Sequence, residues 1–255
     1  MTRIKAIALN TLKESLRQRI LIVLVVFAVG LIIVSLFIGP FALGEMPHII
    51  RDTGLAASSF IGMVIVLVIG SRLIYHDIKE RTIYTVITRP IRRSEIVLGK
   101  FLGLALLVLL IEIGFFVIHL LTIYIQEGVV ELRLFIVLPL TLLELFVILG
   151  FLFVFSSSST PVLATIMGII FYLVGHAAPD IRTFAFSMST GLLSVLMKGI
   201  YYIIPNLEYL NLKLPIVYGL PIYADHIVFA LCYGIVYTVI LLFVSTILIE
   251  RREFT

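Results

Sequence analysis

Long apolar runs alternate with short polar ones along most of this chain. Runs at about 20–38, 55–74, 100–124, 134–155, 161–178 and 224–249 each approach the roughly 20 residues a helix needs to cross a bilayer. They predict six transmembrane helices. Residues 2–19, TRIKAIALNTLKESLRQR, follow another rhythm. Ile4, Ala8, Leu9, Leu12 and Leu16 recur on one side at about 100° per residue, with Arg3, Asn10, Lys13, Glu14 and Arg17 opposite. A basic amphipathic helix beside a span belongs at the membrane interface. The run 20–38 exceeds a signal-peptide core and no small-x-small site follows it, so it reads as a retained first span. FSSSST, 155–160, reads as a tight turn that also caps the next helix, with Pro161 as first helical residue, where its missing N–H costs nothing.

Residues 179–223 are mostly apolar but broken by Pro179, Pro205, Pro215 and Pro221. They predict one or two helices that dip into the outer leaflet or lie on it. Taking 184–205 as a seventh span would carry Arg251 and Arg252 across the membrane, so six spans are preferred. The expected fold is an all-α integral membrane protein, a single transmembrane domain over residues 1–255.

Composition narrows the class. Only 13% of residues are charged, against about 25% in a soluble domain, and the mean hydropathy is +1.20. Six spans leave no room for a separate soluble domain. The net charge of +4 does not point to nucleic acid, because the basic residues sit beside apolar runs, where they orient the chain and meet anionic lipid. With the N-terminus inside, inner segments hold 14 of the 19 Lys and Arg and outer segments 5. That bias places both termini in the cytoplasm. The single cysteine, Cys232, excludes an internal disulfide and reads as a small packed residue.

Catalytic motifs are missing. There is no G-x-x-x-x-G-K-[ST] phosphate loop, no H-E-x-x-H and no G-x-S-x-G. Five histidines are scattered without metal-ligand spacing. Any work this chain performs draws its energy from a partner or an ion gradient. Inside the apolar runs stand Glu112, His119 seven residues on and so on nearly the same helix face, and Glu144. Intramembrane acids are costly and face a bundle interior or a pathway. These three are the candidates for a polar pathway or proton relay, with no basic partner expected at their depth. Tyr201, Tyr202, Tyr209, Tyr218 and Tyr223 read as interfacial anchors.

The densest polar stretch is IKERTIYTVITRPIRRSEIVLGK, 78–100, with six basic residues. It falls between spans two and three. DIKERTIYTVITRP reads as a short helix stopped by Pro90. RRSEIVLGK opens another, with Ser94 a plausible N-cap and Gly99 suited to close packing. Positive-inside bias alone would not require a helix, a hard stop and a second helix.

Residues 78–103 resemble the signature of ABC-2 type permeases, in which Glu-Arg-x-Thr, an apolar helix, Pro, a basic pair, an acid and Gly-Lys follow in order. Glu80, Arg81, Thr82, Pro90, Arg92, Arg93, Glu95, Gly99 and Lys100 occupy those places, with Thr82 directly after Arg81 where relatives often carry a glycine. The chain is most similar to the NosY-type permeases, and the terminal ERREF fits too. The resemblance implies a non-catalytic half-transporter in the cytoplasmic (inner) membrane. Two copies, or one copy and a related permease, would pair with the pathway between them. Each would be held by a cytoplasmic ATPase that binds ATP-Mg; the permease itself binds no cofactor. The N-terminal helix would be a connecting elbow. Residues 75–99 would be the cytoplasmic coupling segment, through Lys79, Glu80, Arg81, Thr82, Tyr84, Arg89, Pro90, Arg92 and Arg93. Export is the usual direction in this family, and a periplasmic protein is a further partner it admits. The alternative is an ion-driven carrier or channel using Glu112, Glu144 and His119. The apolar interior is compatible with lipids, hydrophobic drugs or peptides as cargo.

Overall fold

The computed structural model describes residues 2–16, 22, 26–27, 29–30, 33, 46–79, 93–157, 159–187 and 192–251. All regular structure among them is helical: α1 (Thr2–Leu16), α2 (Met46–Lys79), α3 (Arg93–Glu127), α4 (Val137–Ser156), α5 (Pro161–His176), α6 (Ala178–Ser187), α7 (Leu192–Ile203), α8 (Lys213–Val217) and α9 (Ala224–Arg251). Short 3-10 turns at Leu132–Ile136 and Leu207–Leu210 precede α4 and α8.

Four helical stretches among these residues are long and apolar enough to cross a membrane: Pro47–Arg72, Arg93–Glu127, Leu132–Ser156 and Ala224–Glu250. A fifth arises if α5 and α6, bent by 61° at their junction, count as one span. Of the run 20–38 only Ile22, Val26, Phe27, Val29, Gly30 and Ile33 are described, all helical. Phe27 is buried, its ring centroid 4.2 Å from that of Phe115 on α3. The rest of that expected span lies outside the described residues.

Two helices differ from their expected extents. α2 starts at Met46 rather than near 55. α3 starts at Arg93 and runs unbroken for 35 residues, so the helix expected after Pro90 and the third span form one rod. Its length, about 52 Å, exceeds the roughly 30 Å hydrocarbon core. Ser94 lies inside this helix.

α4 is the central post. Its sequence is apolar on every side, the pattern of a helix surrounded by protein. Leu140, Leu145, Val147, Ile148, Leu149, Leu152 and Phe153 are all essentially inaccessible. α2, α3, α5 and α9 pack around it. Between helices already in lipid, association rests on close fit rather than on expulsion of water, so small residues matter. Gly70 on α2 faces Leu149 and Leu152, Gly150 on α4 faces Leu241 on α9, and Gly168 on α5 admits Leu67 and Leu152. α9 keeps one face on α4 and the other on the outside, where Val228, Phe229, Val239 and Phe243 are exposed. Cys232 is exposed there too, not packed as its size suggested. α9 turns this surface outward because only its other face carries the small residue Gly234, against Leu143 and Leu210.

α1 lies on the first turns of α3. Gly99 and Gly103, four residues apart, meet Ile7 and Thr11 and approach the Ile4 and Ala8 carbonyls. The packed side of α1 is therefore Ile4, Ile7, Ala8, Thr11 and Ser15, while Leu9 and Leu16 are exposed. The stripe anticipated from hydrophobicity is rotated, because a glycine pair selects small residues and Leu9 and Leu16 are left to face outward. Arg93 donates from Nη1 to the carbonyls of Ile249 (2.9 Å) and Glu250 (3.1 Å). A cation there satisfies carbonyls that a helix end leaves unpaired. α1, the start of α3 and the end of α9 thus share one end of the bundle.

α6, α7 and α8, with the turn Leu207–Leu210, gather at the opposite end. Ser194 Oγ donates to the Ala185 carbonyl at 3.0 Å, so α6 and α7 fold back on each other. At 10 and 12 residues, about 15 and 18 Å, neither crosses a membrane, which excludes 184–205 as a single span. The 3-10 turn beyond them plunges inward. Leu207 and Leu210 are fully buried, seated against Gly175 of α5 and Gly234 of α9. Thr160 caps α5, accepting from the Leu163 N–H at 3.4 Å, with Pro161 in the first turn, as expected from the turn chemistry.

Candidate functional site

Glu112, His119 and Glu144 are all buried, 2%, 1% and 0% exposed, but they do not form one cluster. Seven residues of helix separate Glu112 from His119 by about 10 Å, and α2 receives them at two levels. Gly62 faces the Glu112 Oε1 and Gly54 faces the His119 ring, each so closely that a methyl group would collide. Two glycines on α2 therefore make room for two polar side chains of α3.

In the deeper layer, Glu144 Oε1 stands 3.5 Å from His176 Nε2 on α5 and Oε2 stands 3.6 Å from Lys213 Nζ on α8. Glu112 is within electrostatic reach of both Glu144 and Lys213. Glu144 lies seven residues beyond Val137, about 10 Å along the α4 axis, so Lys213 is carried well inside the bundle. Its burial (8% exposed) is offset by the opposite charge. The expectation that these acids lack a basic partner at depth is therefore overturned. The partner comes from residues 179–223, because the inward turn at Leu207–Leu210 lowers α8 into the bundle. No hydrogen bond reaches either Glu144 oxygen or the Glu112 Oε1. The ion contacts are longer than the roughly 2.7–2.9 Å of a charge-assisted hydrogen bond.

The second layer lies nearer the end of the bundle. Arg51 on α2 donates from Nη2 and Nε to Glu127 (3.2 Å for Nε) and from Nη1 to Glu131 (2.6 Å). His119 lies within electrostatic reach of Arg51. Beside it His48 stacks on Tyr218, ring centroids 5.2 Å apart, and its Nδ1 is 2.9 Å from the Val217 carbonyl. α2, the end of α3 and α8 are thus tied together by polar contacts. Tyr202, Tyr218 and Tyr223 are exposed, as interfacial anchors would be.

The deeper layer can do two things chemically. Opposed charges can hold α4, α5 and α8 in register, and two carboxyls beside an imidazole can exchange a proton. Lys213, His176 and Arg51 were not singled out from the sequence. The available signal for Lys213 and His176 was a lone cation or imidazole set among apolar residues, whereas Arg51 adjoins Asp52. Of the residues assigned to coupling, Arg93 is placed against α9, and Lys79 is the last residue of α2. Glu80, Arg81, Thr82, Tyr84, Arg89, Pro90 and Arg92 lie outside the described residues.

A helical bundle with several membrane-length apolar helices and layers of buried charged groups between them fits a membrane transport component. Residues 41–210 match the family model described as ABC-2 family transporter protein, two thirds of the chain, and the chain belongs to that family. It is a multi-pass ABC transporter permease of the ABC-2 type. No curated protein matches the chain.

Proposed function

We propose that the chain is the permease subunit of an ABC exporter, powered by a separate cytoplasmic ATPase that binds and hydrolyses ATP-Mg. The family match carries this reading, because it spans residues 78–103, the stretch whose sequence resembles the permease signature. Within the family the signature is most similar to the NosY-type permeases. Two copies, or one copy and a related permease, pair in the cytoplasmic membrane with the pathway between them. The run 20–38 completes six spans and both termini are cytoplasmic. Residues 75–99 form the coupling segment of the single domain, with Lys79, Glu80, Arg81, Thr82, Tyr84, Arg89, Pro90, Arg92 and Arg93 at the ATPase.

Packing at the α1 end of the bundle supports this route. A push on residues 80–92 enters α3 at Arg93. α1 rests on α3 at Gly99 and Gly103, and Arg93 itself holds the last carbonyls of α9. Three helices therefore receive one displacement, with α1 as the elbow. Glu144 is engaged by Lys213 and His176, which favours an internal lock over an open ion path.

The test is the double variant Arg81→Glu, Tyr84→Pro in the tagged full chain. Association with the ATPase, or its stimulation, falls while insertion into the membrane is unchanged. ATP-driven activity equal to wild type in that variant would sink the coupling assignment, and a tagged permease that retains no ATPase would sink the partner.

A further inference from the structure

A cavity of about 520 Å³ opens between α6 and the Leu207–Leu210 turn, lined by Arg182, Thr183, Phe186, Asn206, Glu208 and Tyr209 beside Pro179. Its size lies within the range of small-molecule pockets. Its charges are arranged unusually. Arg182 and Glu208 share the lining, yet no ion pair joins them, and Arg182 has no carboxylate partner among the described residues. Each is held apart by a separate contact. The Arg182 guanidinium lies 5.9 Å from the Tyr201 ring centroid, and Glu208 Oε1 accepts from Asn211 Nδ2 at 3.0 Å. Asn206 Oδ1 in turn accepts from the Glu208 N–H at 3.0 Å, and the Asn206 N–H donates to Tyr233 Oη at 2.8 Å. The carboxylate side of the cavity is therefore braced by α9.

A second cation stands over one of the lining rings. Lys198 on α7 sits 5.0 Å from the Phe186 ring centroid. The cavity lining thus carries one cation, Arg182, and one carboxylate, Glu208, and Lys198 stands over the lining residue Phe186. Two unlike charges that share one cavity without pairing complement a ligand bearing both signs.

The surroundings specify the rest of that ligand. The cavity sits at the 61° bend where α5 leaves a membrane-spanning direction. Phe184 and Phe186 on α6 and Val195 and Leu196 on α7 are exposed around it. Tyr209 packs edge-on against Phe229 and Tyr233 of α9, with centroids 5.4 and 5.6 Å apart. An alkyl tail leaving the cavity meets apolar surface on both sides.

We infer that this cavity is a binding site for a zwitterionic amphiphile, its phosphate at Arg182, its ammonium at Glu208, and its tail against α6 and α9. The site stands independently of the ATP-driven reading and of the direction of transport. The anionic group is the main anchor, because hydrogen bonds to charged groups are the stronger kind.

The experiment uses the full chain in a maltoside detergent, with binding read by native mass spectrometry. Probes are lysophosphatidylethanolamine, lysophosphatidylglycerol and free phosphoethanolamine. Wild type binds the first about tenfold or more tightly than either of the others. Arg182→Ala weakens both lysolipids by about tenfold, and Glu208→Gln, which keeps an acceptor for Asn211, brings the two lysolipids level. Unchanged elution on size exclusion shows that each variant is folded. Equal binding of the two lysolipids to wild type overturns the zwitterion assignment. Phosphoethanolamine binding as tightly as its lysolipid overturns the amphiphile. Retention of full binding in Arg182→Ala overturns the site.

Discussion

Lys213→Met removes one charge and keeps most of the methylene stem, so it isolates the contact with Glu144. At 3.6 Å and an effective permittivity of about 20, the attraction between the two charges is about 4–5 kcal/mol. Part of that offsets the cost of burying Lys213 and Glu144, and the exposed alternative for either is solvated. Removing one partner leaves the other buried and uncompensated, which costs about 3–5 kcal/mol in buried pairs. His176, 3.5 Å from Glu144, recovers some of this, so we expect a loss of about 3 kcal/mol. For a chain of this size that is a fall of about 6–12 °C in the unfolding midpoint. The assay is the fraction of monodisperse protein after heating in detergent, read by fluorescence on size exclusion. Glu144→Gln in the same chain removes the stranded acid, and the double variant recovers about 2 kcal/mol relative to the sum of the single losses. A midpoint within about 1 °C of wild type for Lys213→Met, or strict additivity in the cycle, refutes the assignment of the layer as an electrostatic lock.

Gly62→Val places a side chain where the Glu112 carboxyl and Leu145 stand, and costs about 1–3 kcal/mol by overpacking. Glu112→Ala in the same chain restores part of it, and no restoration counts against the glycine cradle. Arg51→Ala strands Glu127 at the end of the bundle, Glu131 being more exposed than Glu127. It lowers the heating midpoint by about 4–8 °C, whereas Arg133→Ala leaves it unchanged. In a Cys232→Ser background, cysteines at Ile7 and Gly99 close an intramolecular disulfide under mild oxidation, since a Cβ at Gly99 lies 2.7 Å from the Ile7 Cβ and slight separation reaches bonding geometry. The readout is loss of both thiols to maleimide, and persistent double labelling would place α1 elsewhere.

How much of this was legible beforehand follows from the kind of signal each feature carries. The apolar runs behind α2, α3, α4 and α9 announce themselves, because a bilayer demands a long stretch of apolar residues whatever lies beside it. The Thr160–Pro161 start of α5 was likewise local. The orientation of α1 was not legible, since its hydrophobic stripe is satisfied by lipid as well as by protein. The contact with Gly99 and Gly103 chose the smaller face. Nor did Glu112 and His119 reveal that they belong to different layers. Their spacing puts them on one face of α3, and only Gly54 and Gly62 of α2 decide what each meets.

By itself the sequence determined that the protein is a helical membrane component, and that one polar segment resembles the signature of its family. Both are properties of composition and local order. The tertiary structure alone decided that Lys213, 69 residues beyond Glu144 in the chain, is its counter-charge. The reason is physical: Leu207 and Leu210 fill gaps beside Gly175 and Gly234, and in seating there they draw α8 into the bundle. No periodicity within residues 179–223 records that descent, because it depends on the shapes of α5 and α9.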